Sequence, residues 1–240
     1  MEEDRRSATL QCLMGAVQDC AYLPGRAARS VIVDPALSVD TQLYSRLIDQ
    51  GFRRSGSLLY RPHCSACKAC ISLRVNSREF KPRRSQRRIW RRNQDLLVRQ
   101  LPACFQEEHF VLFQRYLSQR HPTGGMNPPS RTGYRDFLIA PQVDSRWVEF
   151  RLAERLVMVA VVDIMAAGLS AVYTFFDPQL KQRGLGVYSI LWQIAEARRR
   201  GLPWAYLGYW IKECQQMKYK DRFRPCEIYQ HNVWIACQQQ

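Results

Sequence analysis

Three short stretches carry most of the chemistry in this sequence. Cys64-Ser-Ala-Cys67-Lys-Ala-Cys70 is a C-x2-C-x2-C run beside His63. Thiolates at that spacing can converge on one metal ion from a tight loop. A fourth ligand must then come from elsewhere, and Cys20 is the natural candidate, with zinc and an iron–sulfur cluster both open. Between Arg74 and Arg92 stand nine basic residues and a single acid, Glu79. Arg84, Arg87, Arg88, Arg91 and Arg92 recur every three or four positions and Arg83 adjoins them, so a helix here presents a basic stripe with Ile89 and Trp90 beside it. Guanidinium groups match phosphate with a planar fork, and such a stripe suits an RNA backbone. The third stretch is Gln182-Arg183-Gly184-Leu185-Gly186. Its glycines let the backbone approach a ligand closely, and the helix that follows offers N-terminal amides to an anion.

These stretches need elements to position them. Residues 83–98 read as a helix, and Leu43, Leu47 and Ile48 mark another by their spacing. Ser57–Tyr60 and Ile71–Val75 read as strands flanking the cysteines. Glu107–Gln119 reads as a helix, followed by a Pro- and Gly-rich loop over His121–Pro129. Three strands follow, Arg146–Leu152, Leu156–Ile164 and Leu169–Phe176, and then the glycine loop, a helix over Gly186–Arg200 closed by Gly201, and a strand at Trp204–Leu207. Glu213–Tyr219 reads as a short helix. Three strands, a glycine loop, a helix and a strand make an antiparallel meander feeding a β-α-β unit. The fold class expected is therefore α/β (α+β). The glycine loop resembles, in position more than in letter, the loop with which GNAT acyltransferases hold coenzyme A pyrophosphate. The expected organisation is a Cys- and Arg-rich N-terminal domain, 1–100, with a possible metal site and RNA contacts, and a GNAT-like catalytic domain, 101–240.

Composition sets outer limits. The 240 residues carry 36 Lys and Arg against 21 Asp and Glu, a net charge of +15, which points to a polyanionic partner. No run approaches the roughly 18 apolar residues that a membrane helix needs. The start, Met-Glu-Glu-Asp-Arg-Arg, lacks the apolar core of a secretory signal. A cytoplasmic location is expected, with the nine cysteines mostly reduced and Cys12, Cys104, Cys214, Cys226 and Cys237 serving as packing residues.

Several ordered motifs resemble the aminoacyl-tRNA–protein transferases of the N-degron pathway, most closely their bacterial, leucine-transferring branch. They are Cys20-Ala-Tyr22-Leu23-Pro24-Gly25-Arg26, Gly51-Phe52-Arg53-Arg54-Ser55-Gly56, Tyr60-Arg61-Pro62-His63-Cys64 and Phe80-Lys-Pro-Arg-Arg-Ser-Gln-Arg-Arg88. In the second half they are Ala171-Val-Tyr173-Thr-Phe-Phe-Asp177-Pro178, and Tyr206-Leu-Gly-Tyr209-Trp210-Ile with Met217-Lys-Tyr219-Lys220. Leu23 stands where eukaryotic arginyltransferases carry a cysteine, so a metal here would draw on Cys64 and Cys67.

The resemblance implies transfer of leucine from leucyl-tRNA to proteins that begin with Asp or Glu, marking them for degradation. The chemistry is aminolysis of an ester already activated, for which no cofactor is required. Tyr173, Asp177, Tyr206, Tyr209 and Lys218 are the implied catalytic candidates. Arg26 and Arg29 are the choices for the acceptor's acidic side chain, Arg183, Gly184 and Gly186 for further substrate contacts, and the arginine stripe from Arg83 to Arg92 for tRNA. Three other readings compete: an arginyl-tRNA-dependent transferase of the same family, an acyl-CoA-dependent N-acetyltransferase, and a non-enzymatic metal- and RNA-binding module.

Overall fold

The computed structural model describes residues 10–122 and 127–237. The charged start of the chain and four residues of the expected 121–129 loop lie outside it. The front of the chain forms β1 (Cys12–Met14), β2 (Gln18–Asp19), β3 (Ala27–Ala28), β4 (Ser30–Val33), α1 (Thr41–Asp49), β5 (Arg53–Ser55), β6 (Leu58–Pro62) and β7 (Ile71–Asn76). Next come α2 (Arg84–Arg92), β8 (Leu96–Pro102), α3 (Glu107–Arg120), α4 (Arg131–Leu138), β9 (Ser145–Leu152), β10 (Arg155–Met165) and β11 (Gly168–Phe176). The chain closes with α5 (Leu185–Arg199), β12 (Trp204–Trp210), β13 (Cys226–Gln230) and β14 (Val233–Ala236).

An eight-stranded mixed sheet, ordered β14-β13-β7-β12-β11-β10-β9-β8, organises the molecule, and a four-stranded sheet, β1-β4-β6-β5, lies in front. The expected meander is β9-β10-β11, antiparallel throughout, and α5 then carries the chain across to β12, parallel to β11. Sheet membership crosses residue 100, because β7 and β8 both belong to the large sheet.

Hydrophobic patterning explains the layers. Every residue of β10 from Leu156 to Asp163 is buried, as a strand covered on both faces must be. On one face lie Phe110, Phe113 and Leu117 of α3 with Tyr134 and Leu138 of α4; on the other lie Leu185, Tyr188 and Ala197 of α5. Each such large apolar side chain contributes about 2 kcal/mol of burial. Tyr44, Leu47 and Ile48 pin α1 against Met165 and Tyr206. Caps set the helix starts: Asp40 accepts from the Leu43 amide at 2.7 Å and Ser130 from the Gly133 amide at 2.9 Å. Among the described residues no helix is long and apolar enough to cross a membrane.

The helix expected over 83–98 ends at Arg92. Asn93, fully buried, donates its side-chain amide to the carbonyls of Ile89 and Arg183, both at 2.9 Å, and the chain turns into β8. The short helix expected over 213–219 is instead a series of turns leading to a 3-10 turn, Lys218–Arg222.

Candidate active site between splayed strands

β11 and β12 are paired only at their first residues, Gly168–Ser170 against Trp204–Tyr206. Beyond that point each carries an irregularity in its other ladder, at Val172 opposite β10 and at Leu207 opposite β7. A bulge bends its strand and increases its twist, so the two chains diverge.

Arg53 occupies the start of the gap. Its Nη1 donates to Ser170 Oγ at 2.7 Å and its Nη2 to the Ala171 carbonyl. On the β12 side the guanidinium approaches Gly208 so closely that a Cβ there would stand 3.0 Å from Nε and 3.1 Å from Cζ. Gly208 also has a φ of 71°, so conformation and neighbour both call for glycine. Arg53 is 8% exposed, and among the described residues no carboxylate forms an ion pair with it.

A second cation lies alongside. Lys220, on the 3-10 turn, donates Nζ to the carbonyls of Leu207 and Tyr209, each at 2.8 Å. The residue keeps some surface, but its ammonium is turned inward onto β12. Burial and the neighbouring Arg53 push its pKa down to about 7. Around this pair, Tyr209 donates its hydroxyl to the Gly51 carbonyl at 3.1 Å, and its ring lies 6.4 Å from that of Tyr60. Burial raises the phenols of Tyr22, Tyr60 and Tyr209, with Arg53 opposing it, so all three remain O–H donors at neutral pH.

The sequence candidates fall into different places. Tyr173 borders the gap, its ring 5.0 Å from Phe137 and 6.0 Å from Phe113, and burial raises its phenol. Asp177 is fully buried, ion-paired with Arg155, and its Oδ1 accepts from the Gln179 amide at 3.0 Å, which anchors the turn after β11. Tyr206 points to the opposite side, donating to Asp49 at 2.8 Å. Lys218 is exposed. Arg183 is tied to Asp95 by two bonds of 2.8 and 2.9 Å, and Gly184, at φ 64°, forms the N-cap of α5 with Gly186 in its first turn. Arg26 and Arg29 are exposed: Arg26 donates to Cys67 Sγ at 3.4 Å and Arg29 to the Gly15 carbonyl at 2.8 Å.

Cys20, Cys64, Cys67 and Cys70 gather in one neighbourhood with Cys214, whose side chain packs against Leu23 and Ile211. Cys64 is occupied with the backbone of Arg29, and burial together with the other thiols pushes Cys70 up to about 12. Among the described residues no group of three or more His, Cys, Asp or Glu side chains is arranged to hold a metal ion. The four candidate cysteines thus share one neighbourhood with Cys214, without a metal-ligand arrangement among the described residues.

All six arginines from Arg83 to Arg92 are exposed, and among the described residues none has a carboxylate partner. Arg87 donates to the Pro82 carbonyl at 2.7 Å and Arg92 to that of Gln182. Between α2 and α5 runs a groove floored by Phe80, Trp90 and Leu191 and edged by Arg87 and Arg91.

Residues 18–88 match the family described as "Arginine-tRNA-protein transferase, N terminus", and residues 108–230 match its "C terminus". The chain belongs to the arginine-tRNA-protein transferase family. Relatives named aspartate/glutamate leucyltransferase include one from Pseudomonas fluorescens, 50% identical over 90% of this chain and 92% of its own. Another, from Marinobacter nauticus, is 49% identical over 90% of this chain and 91% of its own. The solved structure of L-PGS from Bacillus licheniformis superimposes with a TM-score of 0.53 over 71% of this chain and 59% of that one, at 12% identity, a likeness of fold.

In this member of the arginine-tRNA-protein transferase family, the sequence reading does not single out Arg53 or Lys220, whereas Cys214 packs as expected. Arg53 and Lys220 do sit in the quoted family motifs. The available signal for Arg53 was two adjacent arginines inside a strand whose neighbours are buried, a costly place for a cation without a role.

Proposed function

We propose that the chain transfers leucine from leucyl-tRNA to the α-amine of proteins that begin with Asp or Glu, in the cytoplasm, and so marks them for degradation. The observation that carries this reading is 50% identity, over 90% of the chain, to relatives named for aspartate/glutamate leucyl transfer.

The neutral amine attacks the carbonyl carbon of the leucyl ester. A C–N bond forms, the C–O bond to the ribose breaks, the amine loses a proton and the released ribose hydroxyl gains one. An α-amine with a pKa of about 7.7–8.0 is roughly one-tenth neutral at pH 7, so a strong base is not needed. Positioning and donors to the developing oxyanion supply the rate. The splay supports this, because it brings the protonated Tyr173 and Tyr209 to divergent strands, and among the described residues neither bonds a carboxylate. Tyr173 and Tyr209 are our inner candidates. Asp177, Tyr206 and Lys218 support them from outside the gap. Gly184 and Gly186, at the start of α5 beside Ile89 and Phe176, are the candidates for further substrate contact, and the α2 arginines take the tRNA phosphates.

The test is transfer from labelled leucyl-tRNA to a peptide beginning with Asp, with arginyl-tRNA in parallel. Leucine transfer alone supports the reading. Arginine transfer alone keeps the family and changes the donor, and acylation from an acyl-CoA without tRNA overturns it.

A further inference from the structure

Arg53 and Lys220 pose a physical problem in the protein alone. A buried ion without a counter-ion costs several kcal/mol. Elsewhere this fold follows the usual rule: Arg54, the next residue, is paired with Asp163, and Arg74 with Asp49 and Glu227. Arg53 has a hydroxyl, a carbonyl and a glycine for neighbours, and Lys220 has two carbonyls. The charged neighbours that act on Lys220 are Arg53 and the Cys214 thiol, with no carboxylate among them. Arg53 also acts on the phenols of Tyr22, Tyr44, Tyr60 and Tyr209, of which Tyr44 is already spent on Asp163, the partner of Arg54. The gap between β11 and β12 is thus lined by the Arg53 cation, by Lys220, which gains its proton near pH 7, and by phenols, a surface made for an anion.

We infer that Arg53, with Lys220 behind it, receives the side-chain carboxylate of the acceptor's first residue. This rests on the proposed transfer to acidic N-termini and names the residues that select them. Burial separates a carboxylate from a tRNA phosphate here. A group that ends a side chain can reach a residue as buried as Arg53, 8% exposed, whereas a phosphodiester must carry its chain past the site. The cations suited to phosphate stand on the exposed α2 instead. Location favours Arg53 over Arg26 and Arg29 as well: both of those are exposed, where solvent and salt weaken an ion pair. A carboxylate seated at Arg53 also holds the α-amine of the same residue within a few bonds of Ala171 and Tyr173, where the strands part.

The experiment compares kcat/KM for leucine transfer to two peptides that differ only in their first residue, Asp or Asn, in the wild type, Arg53→Gln and Arg53→Lys. A lost charge-assisted contact lowers the Asp-to-Asn ratio by at least about tenfold in Arg53→Gln. Arg53→Lys keeps most of the ratio, because the charge remains. An equal loss for both peptides overturns the assignment and makes Arg53 a staple between β5 and β11. A raised KM for leucyl-tRNA with an unchanged peptide ratio overturns it too, and identifies the anion as a phosphate. So does a ratio that falls in Arg26→Gln or Arg29→Gln and not in Arg53→Gln. A wild-type protein that transfers leucine to neither peptide overturns the underlying functional reading with it, and is told apart by that absence of transfer.

Discussion

Arg54 and Asp163 form a two-pronged ion pair, Nε to Oδ2 at 2.7 Å and Nη2 to Oδ1 at 2.8 Å, with side chains 1% and 0% exposed. The pair joins β5 to the central strand β10, and so holds the front sheet on the large one. Tyr44 of α1 donates its hydroxyl to the same carboxylate, and Arg54 reaches on to the Leu138 carbonyl at 3.0 Å and Ser145 Oγ at 3.1 Å. Replacing Asp163 with Ala strands a buried guanidinium. The expected cost is about 3–5 kcal/mol, measured by denaturant unfolding. A loss under 1 kcal/mol means that water reaches the guanidinium and the network is not the anchor.

Gly208→Ala tests the close approach of β12 to Arg53. The new methyl would stand 3.0 Å from Arg53 Nε at a φ of 71°. Arg53 must shift, and leucine transfer should fall by at least an order of magnitude. Gly201→Ala is the control. Its φ is 74°, with nothing within 4 Å of the added Cβ, so it carries the backbone strain alone. That strain is about 1 kcal/mol, with transfer retained. Equal losses in the two variants would leave the Arg53 contact without a role.

Lys220 gives stability a pH dependence of defined sign. Its pKa is about 7 in the folded protein against 10.5 for an ordinary lysine. Between those values the unfolded chain binds the extra proton, so stability rises with pH from 7 toward 10.5. Below 7 both states are protonated and the slope vanishes. The difference in unfolding free energy between wild type and Lys220→Met should therefore grow by roughly 2 kcal/mol from pH 7 to pH 9. A flat difference across that range would place the ammonium in solvent.

The parts of this molecule that follow chain-local rules were legible before any coordinates. Alternating and continuous apolar runs located β9, β10 and β11, and the reading of a helix over Gly186–Arg200 closed by Gly201 lies within a residue of α5 at each end. What could not be read depends on partners far along the chain. Arg183 looked free to meet an anion, yet it is neutralised by Asp95, 88 residues away. Lys218 and Lys220 are equivalent on paper; which one turns inward is decided by the carbonyls of Leu207 and Tyr209. Arg53 and Arg54 are adjacent in one strand, and successive strand residues point to opposite faces. One therefore finds Asp163 while the other enters the splay. The cysteine run was legible as a cluster, but its geometry, with Cys64 turned to the Arg29 backbone, was not.

The α2 arginines predict how tRNA binding responds to salt. Arg84, Arg87 and Arg91 are exposed on one short helix and have no carboxylate partner among the described residues. Like charges at that spacing repel one another, and a polyanion relieves the repulsion. If each meets a phosphate, each releases about one counter-ion on binding. Changing all three to Ala should then weaken tRNA binding at low salt and flatten the plot of log affinity against log salt by roughly 0.7–0.9 per arginine removed. The loss should be the same for leucyl-tRNA and for uncharged tRNA, because phosphate contacts carry affinity and orientation and do not read the amino acid. Transfer at saturating leucyl-tRNA should change little, which separates these arginines from Arg53. An unchanged slope would leave the stripe without a phosphate partner and send the search for the tRNA surface elsewhere on this basic chain.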